Sequence, residues 1–322
     1  MPDPHSVLRV ASVQMESRPA DKDANFAKVE YFATRAANRG ARLAVFPECC
    51  LTGYWFIRNL DLSQLSALAE PVPDGPSTRR LIALASRLGI NIGAGLLEST
   101  ETGAFYNSYV IASPDGSWHR HRKLHAFEHA AVRSGNEFTV FDLAEGWRVG
   151  ILICYDCNVI ENVRLTALQG ADVLVAPHQT GAVRSRNPHL MGLIERQLWD
   201  NREADPESIA REFRGETGRG WLMRWLPSRA HDNGLFLIFS NGVGVDDDEI
   251  RTGNAMILDP YGRILAETHT VGDDWVITDL DRGLLADATG RSWIRARRPE
   301  LYGPLAIPTG NECDTRKLKF EE

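Results

Sequence analysis

GILICYDCNVIENVRLTALQGADVLVAPH, residues 150–178, decides the class of fold. Gly150 to Ile153 is a continuous apolar run, the mark of a strand buried on both faces, and it ends at Cys154. There the polarity turns over through Tyr155, Asp156 and Asn158. ENVRLTALQGA (161–171) then has helical apolar spacing and stops at Gly170, and DVLVAPH (172–178) is a second apolar strand. Strand, helix and strand in succession, each apolar enough to be buried, belong to a sheet covered by helices.

The same alternation runs outward in both directions. VLRVASVQ (7–14) reads as a strand and ANFAKVEYFATRAANRGA (24–41) as an amphipathic helix closed by Gly40. ARLAVFPE (41–48) is a strand that Pro47 stops, leaving Glu48 just past its end. SQLSALAE and STRRLIALASRLGI (77–90) are helical, with PVPDGP as the loop between them, and NIGAGLLE (91–98) is a strand. FTVFDLAEGWRVGILIC (138–154) holds two strands around a Glu-Gly turn, and LFLIFSN (235–241) another.

Two hairpins, NSYVIASPDGSWHRHRK (107–123) and GNAMILDPYGRILAE (253–267), share an Asn, an apolar run and a Pro-x-Gly turn. This internal likeness predicts two similar mixed sheets facing each other in one domain spanning 1–322. WLMRWLPSRAHDNG (221–234) is helical on one or both sides of Pro227. The polar stretch at about 179–220, in which only MGLIERQLW (191–199) has helical spacing, reads as an insertion. Residues from about 283 to 322 form a C-terminal tail, and DDDEI (246–250) reads as a solvated turn.

Composition narrows the function. The 322 residues carry a formal net charge of −7, against the basic face that nucleic-acid binding needs. No run of 18 apolar residues exists, so no membrane-spanning helix is expected, and MPDPHSVLRV lacks the pattern of a signal peptide. Five cysteines are too few for a disulfide scaffold and odd in number, which points to the reducing cytoplasm.

Three strand ends carry chemistry: Glu48 in VFPE, Lys123 in HRKLH and Cys154 in GILICYD. A cysteine nucleophile needs a proton acceptor, and a donor or cation for the oxyanion that forms. A carboxylate, an ammonium and a thiol supply these. Taken alone, each has another reading. Cys154 and Cys157 have redox C-x-x-C spacing, and Cys154 also suits a buried structural thiol. Glu48 suits a surface carboxylate and Lys123 a solvated charge. His119, His121 and His125 crowd Lys123 as metal ligands would, or as a basic strand end. No metal or cofactor is expected.

In that order, VFPECCLTGY around Glu48, HRKLH around Lys123 and GILICYD around Cys154 resemble the nitrilase (carbon–nitrogen hydrolase) superfamily. Glu128, seven residues before Gly135, stands where that family has a second glutamate. Glu161, Arg164 and QGADVLVAP match the helix after the nucleophile, and SRAHDNGLFLIFSNGVG and GNAMILDPYGRIL its closing blocks. The resemblance covers residues 7 to 282 apart from the insertion. It implies an α/β fold, a four-layer α-β-β-α sandwich of two mixed sheets, pairing as a homodimer or higher homo-oligomer. It also implies roles: Glu48 the general base, Cys154 the nucleophile and Lys123 the oxyanion stabiliser. The Tyr155 backbone N–H would complete the oxyanion hole, and Glu128 would position Lys123 and the substrate.

Tyr155-Asp156 after the nucleophile, where the nitrile-cleaving branch has Trp-Glu, resembles the amidase and carbamoylase branches. The implied reaction is hydrolysis of a small amide or N-carbamoyl compound through a cysteine thioester, releasing ammonia or an amine. Hydrolysis of a nitrile to acid and ammonia is the alternative, and a non-catalytic binding scaffold of the same fold the reading from another class. Relatives that bind a substrate carboxylate place an arginine three or four residues after the nucleophile, where this chain has Cys157 and Asn158. Arg184 or Arg186 of the insertion would have to replace it. Tyr54, Asn158 and His178 are expected to line the pocket.

Overall fold

Strand β1 (Val7–Met15) divides its side chains between two environments: Leu8 and Val10 enter one core, Ala11, Val13 and Met15 another. In the computed structural model, which describes residues 6–181, 183, 187 and 189–320, this division holds throughout the sandwich. Alternate residues of a strand face opposite ways, so a strand apolar at every position must be covered on both sides.

The first layer contains β1, β2 (Leu43–Val45), β3 (Asn91–Ser99), β4 (Phe105–Ala112) and β5 (Trp118–Arg122). The short β6 (Val132–Arg133) pairs with β4. The second layer contains β7 (Thr139–Asp142), β8 (Arg148–Ile151), β9 (Val173–His178) and β10 (Phe236–Asp246). β10 leads through β11 (Glu249–Thr252) to the hairpin β12 (Met256–Leu258) and β13 (Ile264–Glu267). The chain then returns to the first layer as β14 (Asp274–Asp281), antiparallel to β1. The layers meet at one edge, where the end of β1 pairs in parallel with β10 at Gln14↔Asn241 and Met15↔Gly242.

Leu8, Val10, Leu43 and Val45 of the first layer interdigitate with Val149, Ile151, Val173, Val175, Phe236 and Ile238 of the second. Helices α1 (Lys22–Asn38), α2 (Leu62–Leu68) and α3 (Pro76–Leu88) follow the early strands, and α1 and α3 cover the outer face of the first layer. The outer face of the second layer packs residues of α4 (Ile160–Leu168), α7 (Arg219–Met223) and α8 (Leu226–His231). The architecture is a four-layer α-β-β-α sandwich. Both sides of Pro227 are helical, since proline is tolerated in the first turn of α8.

The 179–220 stretch departs from the sequence reading in two ways. Its first helix, α5, starts only at Arg196 (Arg196–Asp200), so Met191 to Glu195 are not helical. A second, α6 (Pro206–Arg214), arises from a segment whose charges hide its period: Ile209 and Phe213, four apart, are both buried. They pack with Trp199, Val243 and Ile250 as a satellite core under the β10–β11 hairpin. DDDEI is likewise no simple solvated turn, because Asp246 and Glu249 are buried and only 247–248 form the turn. The segment after β14 contains α9 (Gly283–Ala286), α10 (Thr289–Arg295) and α11 (Thr315–Phe320). Among the described residues, no helix is long and apolar enough to cross a membrane.

Gly95 in β3 is required by close approach. A Cβ there would lie 2.3 Å from the backbone nitrogen of Cys49 and 3.0 Å from the carbonyl carbon of Glu48. Gly95→Ala is therefore expected to cost about 1–3 kcal/mol by overpacking. It should also lower activity by displacing the backbone at Glu48. Thermal melts and kcat measured together check this, and an unchanged melt with full activity would contradict it.

Candidate active site

Glu48 stands three residues beyond β2, on a turn held from several sides. The Tyr109 hydroxyl donates to Phe46 O at 2.7 Å, and Gln179 Nε2 donates to the Glu48 carbonyl at 2.7 Å. The next residue, Cys49, has φ of +46°, a left-handed conformation that rotates the chain away from the strand. Lys123 follows β5 directly. Its N–H donates to Asn107 O at 2.8 Å, and its carbonyl accepts from Gly135 N at 2.7 Å.

These turns bring an ammonium between two carboxylates. Lys123 Nζ lies 2.7 Å from Glu48 Oε1 and 2.5 Å from Glu128 Oε1, with all three side chains buried. Asn107 Nδ2 donates to the same two oxygens at 2.7 and 2.9 Å. Phe127 N supports the other Glu128 oxygen at 3.0 Å. Glu48 Oε2 is buried without a hydrogen-bond partner. A buried carboxylate oxygen normally has one, so this atom is free to take a proton.

Electrostatics set the protonation of the cluster. Burial pushes the Glu48 carboxyl well above the usual carboxylate range and the nearby Cys154 pushes it further, with Lys123 opposing both. Burial works against the Lys123 ammonium, but Glu128 and Glu48 outweigh it and hold the amine protonated.

Cys154 follows β8 at the start of a 3-10 turn (Cys154–Cys157) and has φ of +50°. A non-glycine residue in this region costs roughly 1–2 kcal/mol, so the surroundings must hold it. Asp156 does much of the holding. Its carboxylate accepts from Ile153 N at 3.1 Å, Leu124 N at 3.1 Å and His125 N at 2.9 Å. One fully buried side chain thereby ties the Cys154 turn to the loop carrying Lys123. Cys157 is buried, with its thiol directed at Leu152 O.

Cys154 lines a cavity of about 330 Å³ with Tyr155, Tyr54 and Asn158. Its walls include Trp55, Phe127, Trp221 and Trp225, and also Glu249, Arg251, and Thr315 and Leu318 of α11. The C-terminal tail thus takes part in the site. His178 is absent from this lining. It is fully buried, bonded to Thr180 Oγ1 at 2.9 Å and packed on Phe239, and burial pushes its imidazole down to about 3. The three histidines near Lys123 also diverge: His119 stacks on Phe141, His121 meets Thr139 and His125 meets Asn162. Arg184 and Arg186 lie outside the described residues.

Residues 9–289 match the carbon–nitrogen hydrolase family. The chain belongs to that family. Among its relatives in the family is a nitrilase from Pyrococcus abyssi, 36% identical over 278 residues, 85% of this chain and 90% of the other. An (R)-stereoselective amidase from a Pseudomonas species is 30% identical over 303 residues, 92% of this chain and 93% of the other. An amidase of the nitrilase superfamily from Nesterenkonia sp. AN1 superposes with a TM-score of 0.68 at 22% identity, over 92% of this chain and 97% of that one. The fold is therefore that of the nitrilase superfamily, and the protein is a carbon–nitrogen hydrolase.

Sequence reasoning missed Asn107, Gln179 and Asp156. Asn107 opens the hairpin that ends at Lys123, and its conjunction with a buried ammonium was the available signal. Asp156 is two residues from Cys154, where an acidic side chain beside backbone donors reads as an Asx-type turn former. Asp156→Asn places a donor where the backbone donors now meet an acceptor. It should lower kcat by at least about tenfold with smaller change in KM, because unsatisfied buried donors cost about 1–3 kcal/mol each and loosen both loops. Steady-state kinetics beside a thermal melt test this, and wild-type kcat would overturn it.

Proposed function

We propose that the protein hydrolyses the C–N bond of a small amide or N-carbamoyl compound through a thioester on Cys154. The observation supporting this most directly is the Glu48–Lys123–Glu128 cluster beside Cys154, with one Glu48 oxygen left unpartnered and buried. Glu48 Oε2 takes the thiol proton as Sγ attacks the amide carbon. An ammonium has three donors, and Lys123 uses two on the glutamates, so the third serves the developing oxyanion together with the Tyr155 backbone N–H. The tetrahedral adduct collapses as Glu48 returns its proton to the departing nitrogen, giving ammonia or an amine and the thioester. Water then gives a proton to Glu48 and attacks the thioester, and the acid leaves as the thiol is restored.

Amide cleavage is favoured over nitrile cleavage by Tyr155-Asp156 and by the Pseudomonas relative, whose name is that of an amidase. The Pyrococcus relative bears the name nitrilase, so nitriles belong in the assay. Ammonia release over small amides, N-carbamoyl compounds and nitriles separates the readings, and release from nitriles alone would reverse the choice.

Cys154→Ala should abolish turnover while keeping the fold, because no other thiol lines the cavity among the described residues. More than a few percent of wild-type activity would refute the thioester. Cys157→Ser should be mild.

Glu48 can accept a proton only when ionised. Since its pKa is raised, kcat/KM should fall as the pH drops through a value well above the usual carboxylate range. An acid limb near pH 4 would contradict this, as would a Glu48→Gln variant that keeps the wild-type rate rather than losing about 10²–10⁴-fold. Lys123→Ala leaves Glu48 and Glu128 uncompensated, at a cost of about 3–5 kcal/mol, and should be both inactive and less stable.

A further inference from the structure

A second buried ion cluster stands in the cavity wall close to the first. Arg251, on β11, is 2% exposed. Its Nε donates to Asp246 Oδ2 at 2.9 Å and its Nη1 lies 3.0 Å from Glu249 Oε2. Asp246 is itself fixed, because its other oxygen accepts from Trp55 N at 2.9 Å. The Arg251 Cζ lies 5.3 Å from the centre of the Tyr54 ring, and Lys123 Nζ lies 5.5 Å from the same centre. One ring therefore neighbours both ion clusters, and it lines the cavity with Cys154. Two observations point to a ligand: Nη2 of Arg251 is buried without a partner, and both Arg251 and Glu249 line the cavity.

The charges limit what that ligand is. Lys123 already faces Glu48 and Glu128, and Arg251 already faces Asp246 and Glu249. A substrate carboxylate would bring a further anion to a guanidinium whose charge is matched twice, and would offer Glu249 no donor. A wholly apolar end would leave Nη2 unpaired, which a buried donor does not tolerate cheaply. A group with an acceptor beside a donor answers both: its oxygen accepts from Nη2 and its N–H donates to Glu249.

We propose that Arg251 and Glu249 read the non-reacting end of the substrate, and that the substrate is an amide carrying a second uncharged acceptor–donor group there, such as another carboxamide or a urea, in preference to a carboxylate. This deepens the amide-hydrolase reading and rests on it.

The test uses matched substrates: the diamide and the half-amide of one short dicarboxylic acid, with butyramide as reference, assayed by ammonia release. The wild type should favour the diamide over the half-amide by at least about tenfold in kcat/KM, beyond the factor of two for its two equivalent ends, and chiefly through KM. Glu249→Gln keeps the shape and leaves Arg251 paired one-to-one with Asp246. It should raise half-amide kcat/KM relative to diamide by about tenfold. Arg251→Met should erase the diamide's advantage over butyramide, but it unpairs two carboxylates, so the wild-type ratio and Glu249→Gln decide the matter if it does not fold. Butyramide hydrolysis with no diamide preference, or an unmoved ratio in Glu249→Gln, overturns the proposal alone. Release from none of the three amides overturns it together with the amide reading.

Discussion

A fully buried ammonium group must be surrounded by acceptors, and Lys123 Nζ meets that demand with two carboxylates from separate parts of the chain. Much of the site's geometry follows from this constraint. Glu48 and Glu128 come close enough to repel, and only the shared cation and Asn107 make their proximity tolerable. Because each glutamate oxygen on Lys123 also accepts from Asn107, neither carboxylate can turn without breaking two bonds. The remaining freedom is confined to Glu48 Oε2, the atom with no partner. A site built in this way is rigid before any substrate arrives, which is the condition under which fixed charges stabilise a developing one most effectively.

The second constraint is on backbone. Cys49 and Cys154 both adopt left-handed conformations a few residues beyond the end of a strand, the first following Glu48 and the second at the candidate nucleophile. By the alternation of the strands, a continued chain would send Cys49 between the sheets with Leu43 and Val45, and Cys154 to the outer face with Leu152. The reversal instead packs Cys49 with Tyr54 and Trp55 and Cys154 with Ile151 and Ile153, and Gly95, Gln179 and Asp156 hold the reversed chain in place.

Much of this was legible in the sequence. Strands apolar at every position announce burial on two faces, and the paired Pro-x-Gly hairpins announced the two layers. Glu48, Lys123 and Cys154 were legible as strand-end residues, but their meeting was not, because 75 and 31 residues separate them in the chain. Only the resemblance to a family supplied it. Residues that act by accepting from backbone, such as Asp156, leave little trace in composition. Those that act by burial inside a charged segment mislead: Asp246 and Glu249 flank a true turn, and α6 conceals Ile209 and Phe213 among charges. His178 misled in the opposite direction, since a polar residue at a strand end near the motifs is here packed on Phe239 behind the cavity.

Strand β10 is the longest in the protein's described residues, and its two halves belong to different surroundings. Phe236 to Phe239 lie in the sandwich, paired with β9 and β12, whereas Val243 to Asp246 leave it to pair with β11. There Val243 and Ile250 pack on the helices of the insertion rather than on the main core. The cavity wall bearing Arg251 and Glu249 is thus a cantilever, rooted in the sheet but stiffened by its own small core, with Gly181 bridged to Arg251 where the insertion begins. Because that small core is separate from the main one, changes in the arm and in the helices beneath it can reshape the cavity wall while the packing between the two sheets stays as it is.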